Sequence, residues 1–540
     1  MHGPDTPEHA VDEARGPRAG RAALDTLTVA TAGAALPLAC TYTEAWAAAP
    51  LAVGVLGWRL RQAGVGRAAW LGGVFGTAWL LAAVWWLHIS MHRYGGLPAW
   101  MAALAVLALA AALSCYLALA CAAWARWRSG QPLRDAGLFA ALWLLAEWAR
   151  GALFTGFPWA ASGYTQVDAP LAGLAPWIGV YGMGAVLAFA ASLAVFGAVP
   201  PGAPPGTGPG DGTRRQRALA HGPRALSVAA GLALLLAPAL LRPLEFTQTA
   251  GRMSVTLLQP RVAQDEKFSG ERLPQHLAWL GDALTQARGR LVVAPETALP
   301  LLPTQLAAIA PDWWQTLAQH FQKSTQAALI GMPLGSFETG YTNSAVGLLP
   351  GQAQAYRYDK AHLVPFGEFI PWGFRWFTEL MQIPLGDFDR GPVNAPSLAV
   401  GGQRLAPNIC YEDLFGEELA VRFVDAAQAP TVLVNLSNIG WFGDTVAIPQ
   451  HLNISRLRAL ELQRPMLRAT NTGSTAIIDH RGLVTHRLEP RQRGLLDGEF
   501  EGRIGTTPYA AWAGRWGLWP LFALALALVA ACARRRSRAP

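Results

Sequence analysis

Four side chains in the second half of the sequence have the types and placement for nucleophilic catalysis at a carbonyl: Glu296, Lys360, Glu368 and Cys410. Cys410 closes the extended apolar run RLAPNI (404–409), and the helix-like run YEDLFGEELAVRFV (411–424) begins at once. A thiol at a strand-to-helix turn is held rigidly near a helix N-terminus, where unpaired N–H groups favour thiolate over thiol. The other cysteines (Cys40, Cys115, Cys121 and Cys532) lie in or beside apolar runs, so Cys410 stands alone in the water-soluble part of the chain. Glu296 ends RLVVAPE (290–296), and Lys360 and Glu368 share YRYDKAHLVPFGEFIP (356–371). Singly, each reads as a strand cap, a surface charge or an inert buried thiol. Together they make a unit. Glu296 is placed to take the thiol proton and return it to a leaving group. Lys360, with a backbone N–H beside Cys410, is placed to stabilise the thiolate and a tetrahedral oxyanion. His362 and His451 read as structural. No His/Cys/Asp spacing suits a metal, and no cofactor is expected.

The elements that must position these groups alternate in type. Strand candidates are 253–259, 290–296, 327–333, 344–349, 404–410, 431–437 and 474–480; helix candidates are 271–287, 310–323, 411–424 and 449–464. Apolar β-branched runs alternating with helices indicate an α/β layered domain, which collects functional residues at strand ends.

The rest of the chain has another character. It is 52% hydrophobic and 14% charged with 22 Trp, whereas soluble proteins carry about 25% charged residues. The charge deficit is concentrated in 27–198. Apolar runs at 27–43, 45–58, 68–89, 98–124, 136–150, 171–197, 224–241 and 516–533 are candidate membrane spans, so about eight transmembrane helices are expected. The net charge of +8 sits at the ends of these runs, which argues against nucleic acid. Arginine-rich segments fall on one side: Arg15, Arg18 and Arg21; Arg59, Arg61 and Arg67; Arg126, Arg128 and Arg134; Arg214, Arg215, Arg217 and Arg224; and Arg534, Arg535, Arg536 and Arg538. The short opposite segments hold Arg93 and Arg150. By the positive-inside rule both termini are cytoplasmic. The expected organisation is a tail at 1–23, seven spans over 24–245 with a flexible linker at 200–213, an outer domain at 246–512, and a last span with a basic tail at 513–540. The polar N-terminus does not read as a cleaved signal peptide, so the first span serves as insertion signal. In TGFPWAASGYTQ (155–166), Phe157, Trp159 and Tyr164 read either as interface anchors or as a gate for a lipid chain.

PET (295–297), YDKAHLVPFGEFIP (358–371), NICYEDLF (408–415) and NLSNIGWFGD (435–444) resemble the motifs of the nitrilase superfamily. With the flanking spans, TGFPW (155–159) and QHLNISRLRALELQRPMLRATNTG (450–473), the chain from about 24 to 533 is similar to the bacterial apolipoprotein N-acyltransferase family. The resemblance implies a nitrilase-like αββα sandwich inserted in a multi-span α-helical membrane domain. It implies a triad of Glu296 as base, Lys360 as oxyanion stabiliser and Cys410 as nucleophile. Glu368 would support Lys360, and Tyr411 and Glu412 would shape the nucleophile turn. Trp441 and Phe442 would line a pocket or belong to the core of the sandwich. Phe366, Trp372, Trp376 and Phe377 in 363–377 would form an apolar lid facing lipid. One departure stands out: the family's tryptophan after the first outer strand is replaced by Phe268, which lacks the indole donor.

The implied reaction is two-step acyl transfer. The donor would be a phospholipid, phosphatidylethanolamine in the family. The acceptor would be the N-terminal amine of diacylated apolipoproteins, at the outer face of a bacterial inner membrane. One complete site per chain makes a monomer sufficient. The alternative is a membrane-tethered amidase acting on a small C–N substrate, which predicts an open polar pocket; a transporter or scaffold would leave the triad without purpose.

Overall fold

The computed structural model describes residues 16–198, 214–267, 269–373, 375 and 387–537. The linker at 200–213, Phe268, Trp376 and Phe377 lie outside the described residues, as does most of the N-terminal tail. Among the described residues, five helices are long and apolar enough to cross a membrane: Gly20–Thr41, Val65–Val84, Ala99–Trp127, Pro132–Thr155 and Pro170–Ala198. A sixth results if Pro508–Trp516 and Trp519–Arg534, bent by 84° at a break, count as one span. Two expected spans form helices of about the expected extent that are too short to count among these. Extended backbone at Tyr42 and a 3-10 turn at Thr43–Ala45 separate the first helix from Ala48–Leu60, which has 13 residues. At 1.5 Å per residue it reaches about 20 Å, against a hydrocarbon core of about 30 Å. The run at 224–241 likewise gives the short apolar helix Ala225–Leu241.

Small residues let these helices approach closely. A Cβ at Gly72 would meet the Cys121 sulfur at 2.7 Å, and one at Gly76 would meet the Ser114 hydroxyl at 2.9 Å. Both contacts join Val65–Val84 to Ala99–Trp127.

Among the described residues, twelve strands follow: β1 (Thr247–Gln259), β2 (Leu291–Ala294), β3 (Ala327–Ser336), β4 (Gly340–Leu348), β5 (Tyr356–Asp359), β6 (Leu398–Val400), β7 (Gln403–Ile409), β8 (Val432–Ser437), β9 (Met466–Thr470), β10 (Ala476–Ile478), β11 (Val484–Arg487) and β12 (Gly494–Gly505). They form two six-stranded sheets, ordered β12-β1-β2-β3-β4-β5 and β11-β10-β9-β8-β7-β6. The centre of each is parallel, β1-β2-β3 in one and β7-β8-β9 in the other. These strands are buried on both faces and read as continuous apolar runs. Leu291 and Val293 point into the core between the sheets with Leu405, Ile409 and Val434. Val292 and Ala294 face Leu277, Leu280 and Phe321 of the covering helices Leu273–Gln286 and Trp313–Lys323. Ala447–Leu462 and Pro508–Trp516 cover the second sheet. The layering is αββα, as the resemblance implied.

The helix anticipated at 411–424 is broken into short pieces, a 3-10 turn at Cys410–Leu414, one turn of α-helix at Gly416–Ala420 and a 3-10 turn at Val421–Phe423. Glu412 and Asp413 spend their carboxylates on distant partners (Tyr358 and His451), which pins the first turn apart from a continuous α-helix. β5, β6, β9, β11 and β12 are not among the strand candidates: Arg357 and Asp359 make β5 polar, Arg468 interrupts β9 and charges alternate along β12. One apolar cluster runs from the apolar helices into the sandwich and includes Tyr411, Leu414, Phe415, Ile439 and Ile448. The nucleophile turn therefore sits on the membrane side of the sandwich.

Candidate active site

Each triad residue lies just past a strand. Glu296 follows β2 and Lys360 follows β5, both in the first sheet; Cys410 follows β7 in the second. The backbone is strained at these turns: φ is 49° at Thr297, 59° at Phe366 and 52° at Cys410. Such left-handed conformations cost roughly 1–3 kcal/mol each for non-glycine residues and persist only where the surroundings over-determine them.

Lys360 is 1% exposed. Its Nζ lies 2.9 Å from the Glu368 carboxylate and 3.4 Å from Glu296 Oε1. Asn343 on β4 bridges the two acids, its Nδ2 donating to Glu296 Oε1 at 2.8 Å and Glu368 Oε1 at 2.7 Å. The Asn438 backbone N–H donates to Glu296 Oε2 at 2.9 Å, and Val364 N–H to Glu368 Oε2 at 2.8 Å. Burial alone would lower the Lys360 ammonium. The charges of Glu368, Glu296 and Cys410 outweigh it and hold the pKa above the usual range.

The Cys410 thiol is pushed up to about 12, first by burial and then by the Glu296 charge, with Lys360 and the nearby Ser437 hydroxyl opposing. This reverses the anticipated thiolate. The turn after Cys410 is five residues of 3-10 helix, too short for an appreciable macrodipole, and carboxylates surround the sulfur. Cys410 therefore rests as a thiol at neutral pH, and an attack by its sulfur would need a base.

Glu412 staples the turn to the Lys360 loop. It accepts from Tyr358 Oη at 2.7 Å, Ile409 N at 2.6 Å, Ala361 N at 2.7 Å and His362 N at 3.2 Å. Tyr411 Oη donates to the Gly156 carbonyl at 3.0 Å, reaching the TGFPW segment. Trp159 is 3% exposed; its Nε1 donates to Gln450 Oε1 at 2.8 Å. Phe442 packs on Trp86 with centroids 4.3 Å apart, and Trp441 meets Tyr94 edge-on at 5.4 Å. Both aromatics thus dock on the connection between the apolar helices Val65–Val84 and Ala99–Trp127 rather than in the core between the sheets. Phe366 is 40% and Trp372 99% exposed, and Phe268 lies outside the described residues. Its neighbour Lys267 is buried, Nζ donating to the Glu296 carbonyl at 3.4 Å; burial lowers this ammonium to about 8, against the pull of Glu296. Asn343, Asn438 and Lys267 were not anticipated. A buried asparagine inside the apolar strand β4 was the one available signal.

Gly331 on β3 has no room for a side chain: a Cβ would lie 2.3 Å from the Pro295 carbonyl oxygen and 2.7 Å from Glu296 Cα. Gly331→Ala should shift Glu296 and lower kcat by about 10- to 100-fold, with expression and membrane insertion retained. Steady-state kinetics on the purified variant would check this, and unchanged kcat would refute the tight seat.

An αββα sandwich with glutamate, lysine and cysteine at neighbouring strand ends, seated on apolar helices, defines a membrane-associated member of the nitrilase superfamily. Consistently, the carbon-nitrogen hydrolase family model matches residues 255–509, and that of the apolipoprotein N-acyltransferase N-terminal domain matches 32–193. Apolipoprotein N-acyltransferase of Verminephrobacter eiseniae is 52% identical over 90% of this chain and 92% of its own. That of Ralstonia nicotianae is 45% identical, over 87% and 85%, and that of Bordetella bronchiseptica 41%, over 95% and 97%. The chain belongs to the apolipoprotein N-acyltransferase family.

Proposed function

We propose that this protein moves a fatty acyl chain from the sn-1 ester of a phospholipid to the N-terminal amine of a diacylglyceryl-cysteine apolipoprotein. Glu296 takes the Cys410 proton as sulfur attacks the ester carbonyl, and Lys360 with the Tyr411 N–H stabilises the oxyanion. The ester C–O bond breaks, Glu296 protonates the departing lysophospholipid, and a thioester remains. The lipoprotein amine then attacks the thioester, the C–S bond breaks and the thiol is regenerated as the amide forms. Glu368 holds Lys360, Glu412 and Tyr411 hold the turn, and Trp159, Phe268, Phe366, Trp441 and Phe442 contact or frame the lipid substrates.

The observation that carries this reading is the docking of the nucleophile turn and the Ile439–Phe442 loop on segments at the ends of the apolar helices, through Tyr411 to Gly156 and Phe442 to Trp86. Two bilayer-embedded substrates keep their reactive atoms at that level, whereas a small soluble amide has no need of it. We place the chain in a bacterial inner membrane with both termini cytoplasmic and the 246–512 domain periplasmic. The arginine bias and a count of eight crossings, with the short and bent helices included, support this arrangement. The donor is phosphatidylethanolamine, no cofactor takes part, and a monomer suffices.

Intact mass spectrometry after incubation with phosphatidylethanolamine tests the reading. Wild type should gain a hydroxylamine-labile acyl mass that a diacylated lipopeptide discharges, and Cys410→Ala should gain none. Turnover of a small amide without any acyl adduct would sink it.

A further inference from the structure

A buried polar cluster lies behind the nucleophile, on the opposite side of its peptide from the triad. The Cys410 carbonyl accepts from Asn435 Nδ2 at 3.2 Å and faces His451 Nε2 at 3.3 Å. His451 Nε2 also lies 2.9 Å from Asp413 Oδ1, and Arg468 Nη2 is 2.8 Å from His451 Nδ1. Arginine donates and never accepts, so Nδ1 must be the acceptor. The imidazole is therefore neutral with its proton on Nε2, shared between Asp413 and the Cys410 carbonyl. Arg468 is fixed in turn by Ser455 Oγ at 2.6 Å and Asn435 Oδ1 at 3.1 Å. Burial, with the Arg468 charge, holds His451 below the usual imidazole range, in keeping with a locked neutral ring. Trp159 closes the remaining side, its ring 5.5 Å from the imidazole. Its partner Gln450 also bonds Thr41 at the end of the first apolar helix and Trp86 just past the end of Val65–Val84.

The peptide that follows Cys410 is trans, as are all the described peptide bonds, so its C=O and N–H point in opposite directions. Donors that grip the carbonyl from behind aim the Tyr411 N–H forward. Cys410 itself, at φ 52°, occupies a region that L-residues rarely adopt, so the turn needs outside support to keep its peptide plane.

We propose that His451, in this single tautomer and together with Asn435, is a positioning residue of the oxyanion hole, and that Trp159 ties it to the membrane domain. The sharper role for the TGFPW segment is then support of the nucleophile peptide rather than gating of a lipid chain. His451 neither takes nor gives a proton in the reaction. The proposal rests on the thioester reading above.

The test uses the full-length protein in detergent with phosphatidylethanolamine, following single-turnover acylation by intact mass and Cys410 alkylation by iodoacetamide. The donor is lost in His451→Leu and restored in His451→Gln, whose amide nitrogen reaches the Nε2 position. Asn435→Leu removes the second donor without adding charge. His451→Leu and Asn435→Leu should each slow acylation about 10- to 100-fold, with KM and alkylation rate nearly unchanged, because alkylation develops no oxyanion. His451→Gln should recover most of the rate. If acylation and alkylation fall together, or if Leu at 451 serves as well as Gln, the cluster is packing and the proposal is overturned. Should His451→Leu fail to accumulate, Asn435→Leu and His451→Gln decide by the same criteria. Absence of an acyl adduct on wild type is a different failure: it removes the thioester reading, and this proposal with it.

Discussion

Lys360→Met should abolish turnover and destabilise the protein by about 3–5 kcal/mol, the usual cost of removing one partner from a buried charge cluster. Glu296 and Glu368 are both buried, and they are joined through Asn343, which donates to one oxygen of each. Without the ammonium at 2.9 and 3.4 Å, two carboxylates would face each other in a dry site. One of them would take up a proton. The loss of activity has a separate origin, the missing cation at the oxyanion. The double variant Lys360→Met/Glu368→Gln separates the two effects. Thermal unfolding in detergent should return most of the way to wild type, because only one buried charge remains, while turnover stays at background. If the double variant were no more stable than the single, the two carboxylates would not be electrostatically coupled through Lys360.

Glu296→Gln should lower kcat by about 10²- to 10⁴-fold, the range for loss of a general base. It should also make Cys410 easier to ionise. Burial raises the thiol to about 12, and the Glu296 charge adds to that rise. Removing a negative charge beside an acid favours its anion, so the thiol pKa in the variant must fall. The pH profile of iodoacetamide alkylation should therefore shift to lower pH in Glu296→Gln while acylation collapses. A more ionised but less active cysteine is the signature of a lost proton acceptor. An upward shift, or an unchanged kcat, would mean that Glu296 neither faces the sulfur nor receives its proton.

Much of this site was legible because of where the strands end. The apolar runs of β2 and β7 stop within two residues of Glu296 and Cys410, and parallel strands buried on both faces announce themselves in sequence; Lys360 instead follows the short polar edge strand β5. The motif resemblance supplied Glu368 and Glu412, and both carboxylates sit among the donors they would need. Asn343, Asn438 and His451 were not legible in the same way. Their side-chain types are common, and each meets the triad only through pairing or packing of elements far apart in the chain. The thiol was misjudged for a related reason. A local rule about helix N-termini gave a lowered pKa, and the tertiary site, with burial and neighbouring carboxylates, sets it the other way.

The membrane half divides along the same line. Composition and the clustering of arginine identify apolar helices without help, because hydrocarbon tolerates little else. Length, bends and breaks depend on packing: Ala48–Leu60 stops short, and Pro508–Trp516 turns through 84° into the last helix.

What the sequence by itself determined was the inventory: an apolar helical part, a layered α/β part, and three candidate catalytic residues at strand ends. Periodicity, apolar run length and motif spacing are properties of neighbouring residues, and a linear chain displays them directly. What only the tertiary structure decided was the electrostatics and the support. It set the thiol's protonation, the asparagine shared by two acids, the single tautomer of His451 and the contact between Tyr411 and Gly156. These depend on burial and on charges and donors brought together across the two sheets and the membrane helices. No local pattern encodes that, because interaction energies inside a protein follow distance and dielectric rather than separation along the chain.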